Sequence, residues 1–532
     1  MNRRDALRLL AYTGVNLTNL GAAASFLSGC SHRSFNPTPT LKDRYGVMIL
    51  VDGWRASVFR DMLESGALPN IERELVDRGT SVETCVSTFP STTGPAHLPF
   101  ITGVMPGYNN CPGIRWVDRN HRKIRDYCTL ESILINADFP QSNHTIYEVL
   151  YDTRTVCIYD FVSRGASDKF VVPVDTLWFM LTGGKDVWRK MDEDAAETFR
   201  KAYLRDGTVP AFTFVWMPAI DHLAHFHGSE DQVIYDRAKD VDGHVGKIVD
   251  TLKEVGIYDK TMIALIVDHG LRDTERHVDL TKALERADLS VMGDLDESDE
   301  FNCLYQHNAV RSVSGNAFAL MYFAKLEKER LGMRRYAWET QPTYHELREF
   351  PHGSDRVDLL ELLRNEDGIE LVMAADSGNT VHVLSKDGEG YIERDYTSLK
   401  YTALEGDPLG YADHPEAELL MNGLHHDKDD WFMATRNTRY PDGVFQIAQL
   451  FDSERCGDVV VTASDGWDLM DQKHIASHGG MDYHQIVVPC LIAGPGIKQG
   501  TIPIARTVDI YPTFLKHMGL PRYDGEVLDV FI

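Results

Sequence analysis

Three apolar segments of this chain each end at or just before an aspartate, and this pattern constrains the fold more than any other feature. They are residues 45–51 (YGVMILV) before Asp52, residues 261–267 (TMIALIV) before Asp268, and residues 211–217 (AFTFVWM), which lead through Pro218 to Asp221. Continuous apolar, β-branched runs bounded by turn residues are typical of strands buried on both faces, as in parallel sheets. Open α/β sheets place their functional sites at the carboxyl ends of such strands. The sequence therefore predicts an α/β fold with a largely parallel sheet and the three aspartates at one edge.

Histidines accompany these aspartates at spacings that suit a metal site. His225 stands four residues after Asp221, so one helical turn would bring both onto one face, and His269 directly follows Asp268. Carboxylate oxygen and imidazole nitrogen are ligands for zinc, manganese, iron or cobalt. Each aspartate alone would be an ordinary turn or cap residue, but together they predict a metal site. Its candidate ligands are Asp52, Thr93, Asp221, His225, Asp268, His269 and His478.

Residues 89–103 (FPSTTGPAHLPFITG) contain the candidate nucleophile, Thr93. Pro95 suits the first turn of a helix, which would set Thr93 just before a helix N-terminus, where an anion is favoured. A threonine hydroxyl attacks poorly unless a base or a metal activates it. Two metals about 4 Å apart can bind the attacking oxygen and the leaving or non-bridging oxygen. Without the metal ligands, Thr92 and Thr93 would be a simple helix-capping pair.

These segments resemble the alkaline phosphatase superfamily, and most closely its type I phosphodiesterase/nucleotide pyrophosphatase branch. The matching segments are LVDGWR at Asp52, FPSTTGPAHLPFITG around Thr93, MPAIDHLAHFHG around Asp221, IVDHG at Asp268, SHGGMDYHQIVVPCLIAGPGIK at His478 and RTVDIYPTFLKHMGLP near the C-terminus. The resemblance covers roughly residues 45–525, with a looser match in the middle third. Any one of these motifs would be a weak signal, whereas the first five, in this order, are specific.

The resemblance implies a three-layer core and a dinuclear centre that usually holds two zinc ions. Asp52, Asp268, His269 and the Thr93 oxygen would form one ligand set, and Asp221, His225 and His478 the other. The implied reaction is hydrolysis of phosphodiester or pyrophosphate bonds in a small phosphate ester. It would pass through a phosphothreonine formed by in-line attack of Thr93.

Substrate-binding residues are less well defined. The phosphodiesterase branch uses an Asn about twenty residues after the nucleophile, a position that falls near Ile114 here, so Asn110 is offset from it. Arg115 is an alternative, because its guanidinium can bind two phosphate oxygens. Arg164 lies in a segment that loosely resembles a phosphate clamp of monoesterases, but Val162 replaces the lysine of that clamp. The missing cation favours diesters, and Arg164 is as well explained as a surface charge.

Two other functional classes remain open. The chain could be a phosphate monoesterase, or an inactive lipoprotein that binds metal or ligand on the same scaffold. A sulfatase is disfavoured because no CxPxR motif occurs at the nucleophile. The formal net charge of −26 disfavours nucleic-acid polymers, whose phosphates such a surface repels.

The amino terminus predicts export. Residues 1–8 (MNRRDALR) resemble a twin-arginine signal, and residues 27–30 (LSGC) form a lipobox that would be lipidated at Cys30. Ser31 would then direct the lipoprotein to the outer membrane, facing the periplasm of a bacterial envelope. An inner-membrane anchor or an uncleaved leader remains the alternative. Seven cysteines would remain, an odd number without a CxxC pair, which disfavours a full disulfide framework.

The spacing of the ligands predicts the organisation of the chain. The interval between His269 and His478 far exceeds what one strand crossover needs. The expected division is a signal peptide at 1–29, a tether at 30–44, catalytic core at 45–280, an inserted α+β cap at 281–445, and the rest of the core at 446–532. A smaller insertion is expected between Asp126 and Val209. His97 is expected to support a ligand, and His222, His227 and His277 are not expected to bind metal.

Overall fold

A computed structural model describes most of the chain beyond residue 43. The described ranges are 44–171, 187–205, 208–292, 301–330, 333–352, 355–376, 379–395, 398–470, 474–521 and 526–532. The expected signal peptide, Cys30 and all of the tether except Arg44 lie outside these ranges. Among the described residues, no helix is both long and apolar enough to cross a membrane.

The main sheet has nine strands. Its order is Val487–Val488, Gly79–Val86, Cys490–Ala493, Thr261–Val267, Tyr45–Val51, Phe212–Met217, Thr155–Ile158 and Asp168–Phe170, with Gly500–Arg506 also pairing with Gly79–Val86. The central strand, Tyr45–Val51, runs parallel to both of its neighbours, and Val51 lies opposite Met217 and Val267. The carboxyl ends of these three strands are therefore level. The predicted, largely parallel sheet is confirmed.

Helical layers cover this sheet. Every residue of Thr261–Val267 is buried, as is every residue from Gly46 to Val51, so both faces of these strands are shielded from water. The α-helices of this part of the chain are Ala56–Glu64, Pro69–Ile71, Leu98–Thr102, Ile135–Asp138, Ile146–Val149, Val187–Leu204, Ala219–His227, Gln232–Glu254, Tyr483–Ile486 and Ile510–His517. The predicted three-layer α/β core is confirmed.

A second nine-stranded sheet occupies the middle of the chain. Its order is Val291–Met292, Ala309–Ser314, Phe318–Phe323, Val459–Ala463, Ile369–Ala375, Thr380–Ser385, Gly388–Asp395, Ser398–Gly406 and His426–Asp427. Its accompanying helices are Leu280–Arg286, Tyr344–Arg348, Leu359–Arg364, Pro415–Glu418, Lys428–Thr435 and Gly443–Leu450. Residues 281–445 thus mix α and β elements, and one strand from beyond residue 445 lies inside their sheet. The division of the chain into domains stays a prediction.

A small three-stranded sheet connects the two larger ones. Arg272–His277 pairs with Gly466–Asp468 and with Ala476–Ser477, directly before His478. The backbone of His478 is then held by the turn between two strands of the second sheet: its N–H donates to the Gly315 carbonyl (2.8 Å), and its carbonyl accepts from Ala317 (2.9 Å). Gly315 has φ +62°, and a Cβ there would lie 2.6 Å from the His478 carbonyl oxygen. Only glycine fits this close approach.

Candidate metal centre and active site

Three carboxylates meet at the edge where the central strands end. Asp52 directly follows Tyr45–Val51, Asp268 follows Thr261–Val267, and Asp221 lies in the first turn of helix Ala219–His227. Gly53 lets them approach, because it has φ +63° and a Cβ there would lie 2.5 Å from Asp221 Cβ. Its backbone N–H also donates to Asp268 Oδ1 (3.2 Å).

The carboxylates and histidines form two groups of possible metal ligands. Asp52, Asp268 and His269 offer ligand atoms that all lie within 4.8 Å of one another, and so do Asp221, His269 and His478. His269 belongs to both groups and joins them into one centre. His225 lies outside these trios, but its Nε2 is 3.4 Å from Asp221 Oδ2. The structure therefore brings together all six predicted aspartates and histidines.

Thr93 lies against the first group. Its partly exposed hydroxyl is 3.1 Å from His269 Nε2 and 3.4 Å from Asp52 Oδ1. The helix that follows begins at Leu98 rather than at Pro95, because Gly94 adopts φ +96° and turns the chain out of helical geometry. The expected placement of Thr93 at a helix N-terminus is therefore wrong. Its surroundings are the side chains of Asp52 and His269.

Backbone carbonyls orient three imidazoles in the same way. The Nδ1 of His225 lies 2.8 Å from the Ala476 carbonyl, that of His478 lies 3.0 Å from the Ser91 carbonyl, and that of His269 lies 3.1 Å from its neighbour's carbonyl. A carbonyl can only accept, so each Nδ1 carries a proton and each Nε2 is the nitrogen left to coordinate a metal. Metal-binding histidines commonly have this arrangement.

Two further contacts hold the carboxylates, through residues that the sequence analysis either missed or only partly described. Trp216 Nε1 donates to Asp52 Oδ2 (2.8 Å). His97 Nε2 lies 3.2 Å from Asp268 Oδ2, and its Nδ1 lies 3.0 Å from Asp160 Oδ1, with all three side chains fully buried. His97 thus supports a ligand, as expected. Asp160 follows the short strand Thr155–Ile158 by two residues, which is a weaker form of the aspartate-after-strand pattern that marks Asp52.

Burial and neighbouring charges shift the pKa values of the centre. Burial and the charges of Asp268 and Asp221 raise the pKa of Asp52 to about 7. Asp221 Oδ1 is buried and has no hydrogen-bond partner among the described residues. Burial and the charge of His269 lower the pKa of His478 to about 3, which keeps its imidazole neutral and able to coordinate. Oxygen and nitrogen donors of this kind fit divalent zinc and similar ions.

The candidate substrate-binding residues have other partners. Arg115 donates to Asp126 Oδ2 (2.9 Å) and to the Val313 carbonyl (3.0 Å). Arg164 donates to Glu148 Oε1 (3.0 Å), and its guanidinium stacks 3.7 Å above the ring of Phe139. Asn110 has φ +54° and accepts from the Ser453 hydroxyl (2.7 Å). Their roles towards a phosphate stay predictions.

Comparisons with known proteins agree with this architecture. A model of the type I phosphodiesterase/nucleotide pyrophosphatase family matches residues 47–484. The solved structure of murine ectonucleotide pyrophosphatase/phosphodiesterase 5 is similar, with a TM-score of 0.57 at 11% identity, covering 91% of this chain and 98% of that one. The human protein of the same name gives 0.55 at 12% identity, covering 91% and 97%. An inactive threonine-to-alanine variant of the murine protein in complex with AMP gives 0.50 at 12% identity, covering 91% and 97%. No curated protein matches the sequence.

Proposed function

Because the chain belongs to the type I phosphodiesterase/nucleotide pyrophosphatase family, and is therefore a phosphoric ester hydrolase, we propose that Thr93 is its nucleophile at a centre of two divalent metal ions. Zinc is the proposed metal, and the proposed substrates are small phosphodiesters or pyrophosphates. The observation that carries this proposal is the position of the Thr93 hydroxyl, 3.1 Å from Nε2 of His269, the residue that both groups of possible ligands share.

The proposed ligands form two sets, one for each ion. Asp52, Asp268 and His269 would hold one ion beside Thr93, and Asp221, His225 and His478 the other. Bound ions would neutralise phosphate charge and lower the pKa of the Thr93 hydroxyl. The Thr93 oxygen would attack phosphorus as the bond to the leaving oxygen breaks, giving a phosphothreonine. Water would then attack the same phosphorus and release Thr93.

The preference for diesters is supported by the arginines. A dianionic monoester favours an extra cationic group beyond the metal ions, and both candidate arginines donate to carboxylates: Arg115 to Asp126, and Arg164 to Glu148. The murine relative bears on the nucleophile instead, since its inactive variant carries a threonine-to-alanine change.

A rate comparison on purified, zinc-loaded protein tests the reaction. We expect bis-p-nitrophenyl phosphate to be hydrolysed with a higher kcat/KM than p-nitrophenyl phosphate. A higher value for the monoester would favour the phosphate monoesterase alternative. Full metal occupancy with no turnover of either compound would favour an inactive binding lipoprotein.

We also propose that the protein is exported and anchored by lipid at Cys30, with the catalytic part in the periplasm. The lipobox LSGC at residues 27–30 supports this proposal. Fractionation of cells that express the full chain should find it in the membrane fraction, and Cys30→Ala should release it. If Cys30→Ala stays in the membrane fraction to the same extent, the anchor is of another kind.

A further inference from the structure

A continuous row of ring contacts runs from the metal centre to the surface. The His269 and His478 rings stack at 3.7 Å, and His478 lies 5.2 Å from His225. From there the ring centroids are separated by 5.4 Å (His225 to His474), 6.2 Å (His474 to Phe226), 5.2 Å (Phe226 to His222) and 3.8 Å (His222 to Trp188). We call the last four rings, from His474 to Trp188, the outer row.

The outer row presents apolar surface directly beside proposed metal ligands. Phe226 follows His225 in the chain and is 53% exposed. Ile475 is 45% exposed, and its backbone N–H donates to the His225 carbonyl (2.9 Å), which ties the two segments together. Single exposed apolar residues need no explanation. Phe226 and Ile475 instead lie together beside a buried polar centre, and Phe226 belongs to the row of rings that leads into it. Together they form a surface suited to an apolar group of a substrate.

The position of Thr93 decides which part of the substrate lies on this surface. Thr93 contacts His269 and Asp52, and in the row of rings His478 lies between His269 and His225. In an in-line displacement the leaving oxygen lies opposite the attacking oxygen. With phosphorus between the two groups of ligands, the leaving group extends past Asp221 and His225 towards Phe226.

We propose, on the basis of the proposed function, that the natural substrate has an aromatic leaving group that stacks on Phe226 and His474. Ile475 contacts the edge of the leaving group. An aromatic leaving group gains from stacking on rings, whereas a pyrophosphate leaving group has no ring to stack. Aryl phosphodiesters would therefore gain a contact on this surface that nucleoside polyphosphates, which release pyrophosphate, would not.

Phe226→Ala tests the proposal through the choice of leaving group. We expect the ratio of kcat/KM for methyl p-nitrophenyl phosphate to that for ATP, which would release pyrophosphate, to fall about 3- to 10-fold, the worth of one aromatic contact. Tyr151→Ala is the matched control, because Tyr151 is an aromatic residue that is 80% exposed. It precedes the amino end of strand Thr155–Ile158, whereas the proposed site lies at the carboxyl ends of the strands. Its ratio should equal that of the wild type. An unchanged ratio in Phe226→Ala overturns the proposal.

Binding of an aromatic alcohol separates this proposal from the proposed function. Zinc-loaded Thr93→Ala is titrated with 1-naphthol, followed by the fluorescence of the naphthol, with and without Phe226→Ala in the same chain. We expect Phe226→Ala to weaken binding by the same 3- to 10-fold. Equal binding by the two proteins refutes the aromatic site. If the wild type hydrolyses neither methyl p-nitrophenyl phosphate nor ATP, the proposed function fails. The titration still decides whether Phe226 binds an aromatic ring.

Discussion

Replacing Asp160 with asparagine removes one charge from a buried chain of hydrogen bonds that ends on a proposed metal ligand. Asp160 accepts from His97 Nδ1 (3.0 Å), and His97 Nε2 in turn donates to Asp268 Oδ2 (3.2 Å). Burial opposes protonation of His97, but Asp160 and Asp268 together raise its pKa to about 10, so both ring nitrogens carry protons at neutral pH in the metal-free protein. The substituted amide would keep the shape of this chain and lose its charge.

The size of the effect follows from the kind of bond that is weakened. Hydrogen bonds to charged groups contribute about 1.5–3 kcal/mol. Residues that orient metal ligands typically change metal affinity by about 10- to 100-fold when mutated, which is the same range of free energy. Asp160 Oδ2 is buried without a hydrogen-bond partner among the described residues, so the amide group of the asparagine would also lack an acceptor there. We expect Asp160→Asn to bind zinc about 10- to 100-fold more weakly.

Competition with a chromophoric chelator measures this affinity at pH 7. Asp465→Asn is the matched control, because it makes the same change on a side chain that is 82% exposed and paired at 3.7 Å with Arg272. Its zinc affinity should equal that of the wild type. If Asp160→Asn binds zinc as tightly as Asp465→Asn, the chain from Asp160 through His97 does not hold Asp268 for metal binding.

Three further predictions concern the same centre. Trp216→Phe keeps the ring but removes the N–H that donates to Asp52 Oδ2 (2.8 Å), so zinc affinity should fall about 10-fold in the chelator assay; wild-type affinity would contradict this. His478→Ala should reduce the zinc content from two ions per chain to one, measured by elemental analysis after dialysis, and retention of both would remove His478 from the ligands. In the metal-free protein the carboxylates outweigh burial and raise the pKa of His97 to about 10 and of His269 to about 9. The stabilisation that protonated His97 and His269 contribute is complete below about pH 6.5, the pKa of histidine in the unfolded chain, and is lost as the pH rises through 9 and 10. The free energy of unfolding, measured in urea with chelator, should therefore be lower at pH 10 than at pH 7. Equal values would refute this.

The sequence predicted well which residues lie at the carboxyl ends of the central strands, because burial of a strand produces a local sequence pattern. Strands covered on both faces are apolar at every position, and the residues that end Tyr45–Val51 and Thr261–Val267 are then conspicuous as Asp52 and Asp268. The same rule missed Asp160, because its strand is four residues long and Tyr159, with φ +68°, lies between the strand and the carboxylate. Short strands carry too few residues to form a clear pattern.

Contacts between segments that are far apart in the chain leave no such pattern in the local sequence. Trp216 is the partly exposed residue of the otherwise buried strand Phe212–Met217, and nothing local shows that its N–H meets Asp52. The strand Val459–Ala463 lies inside the second sheet, between Phe318–Phe323 and Ile369–Ala375. Its apolar sequence fits either sheet, since antiparallel pairing at such separation depends on the whole topology. The helix start at Leu98 was likewise set by Gly94, whose φ cannot be deduced from its neighbours.

The most direct test of the central claim is a measurement of zinc content and of turnover of bis-p-nitrophenyl phosphate on the same preparations of wild type and Thr93→Ala. Thr93→Ala leaves the other three proposed ligands of that ion, Asp52, Asp268 and His269, in place, so we expect the variant to keep both ions. Loss of the nucleophile should reduce turnover by at least about 10³-fold. Two ions retained together with near-normal turnover would contradict the assignment of Thr93 as the nucleophile.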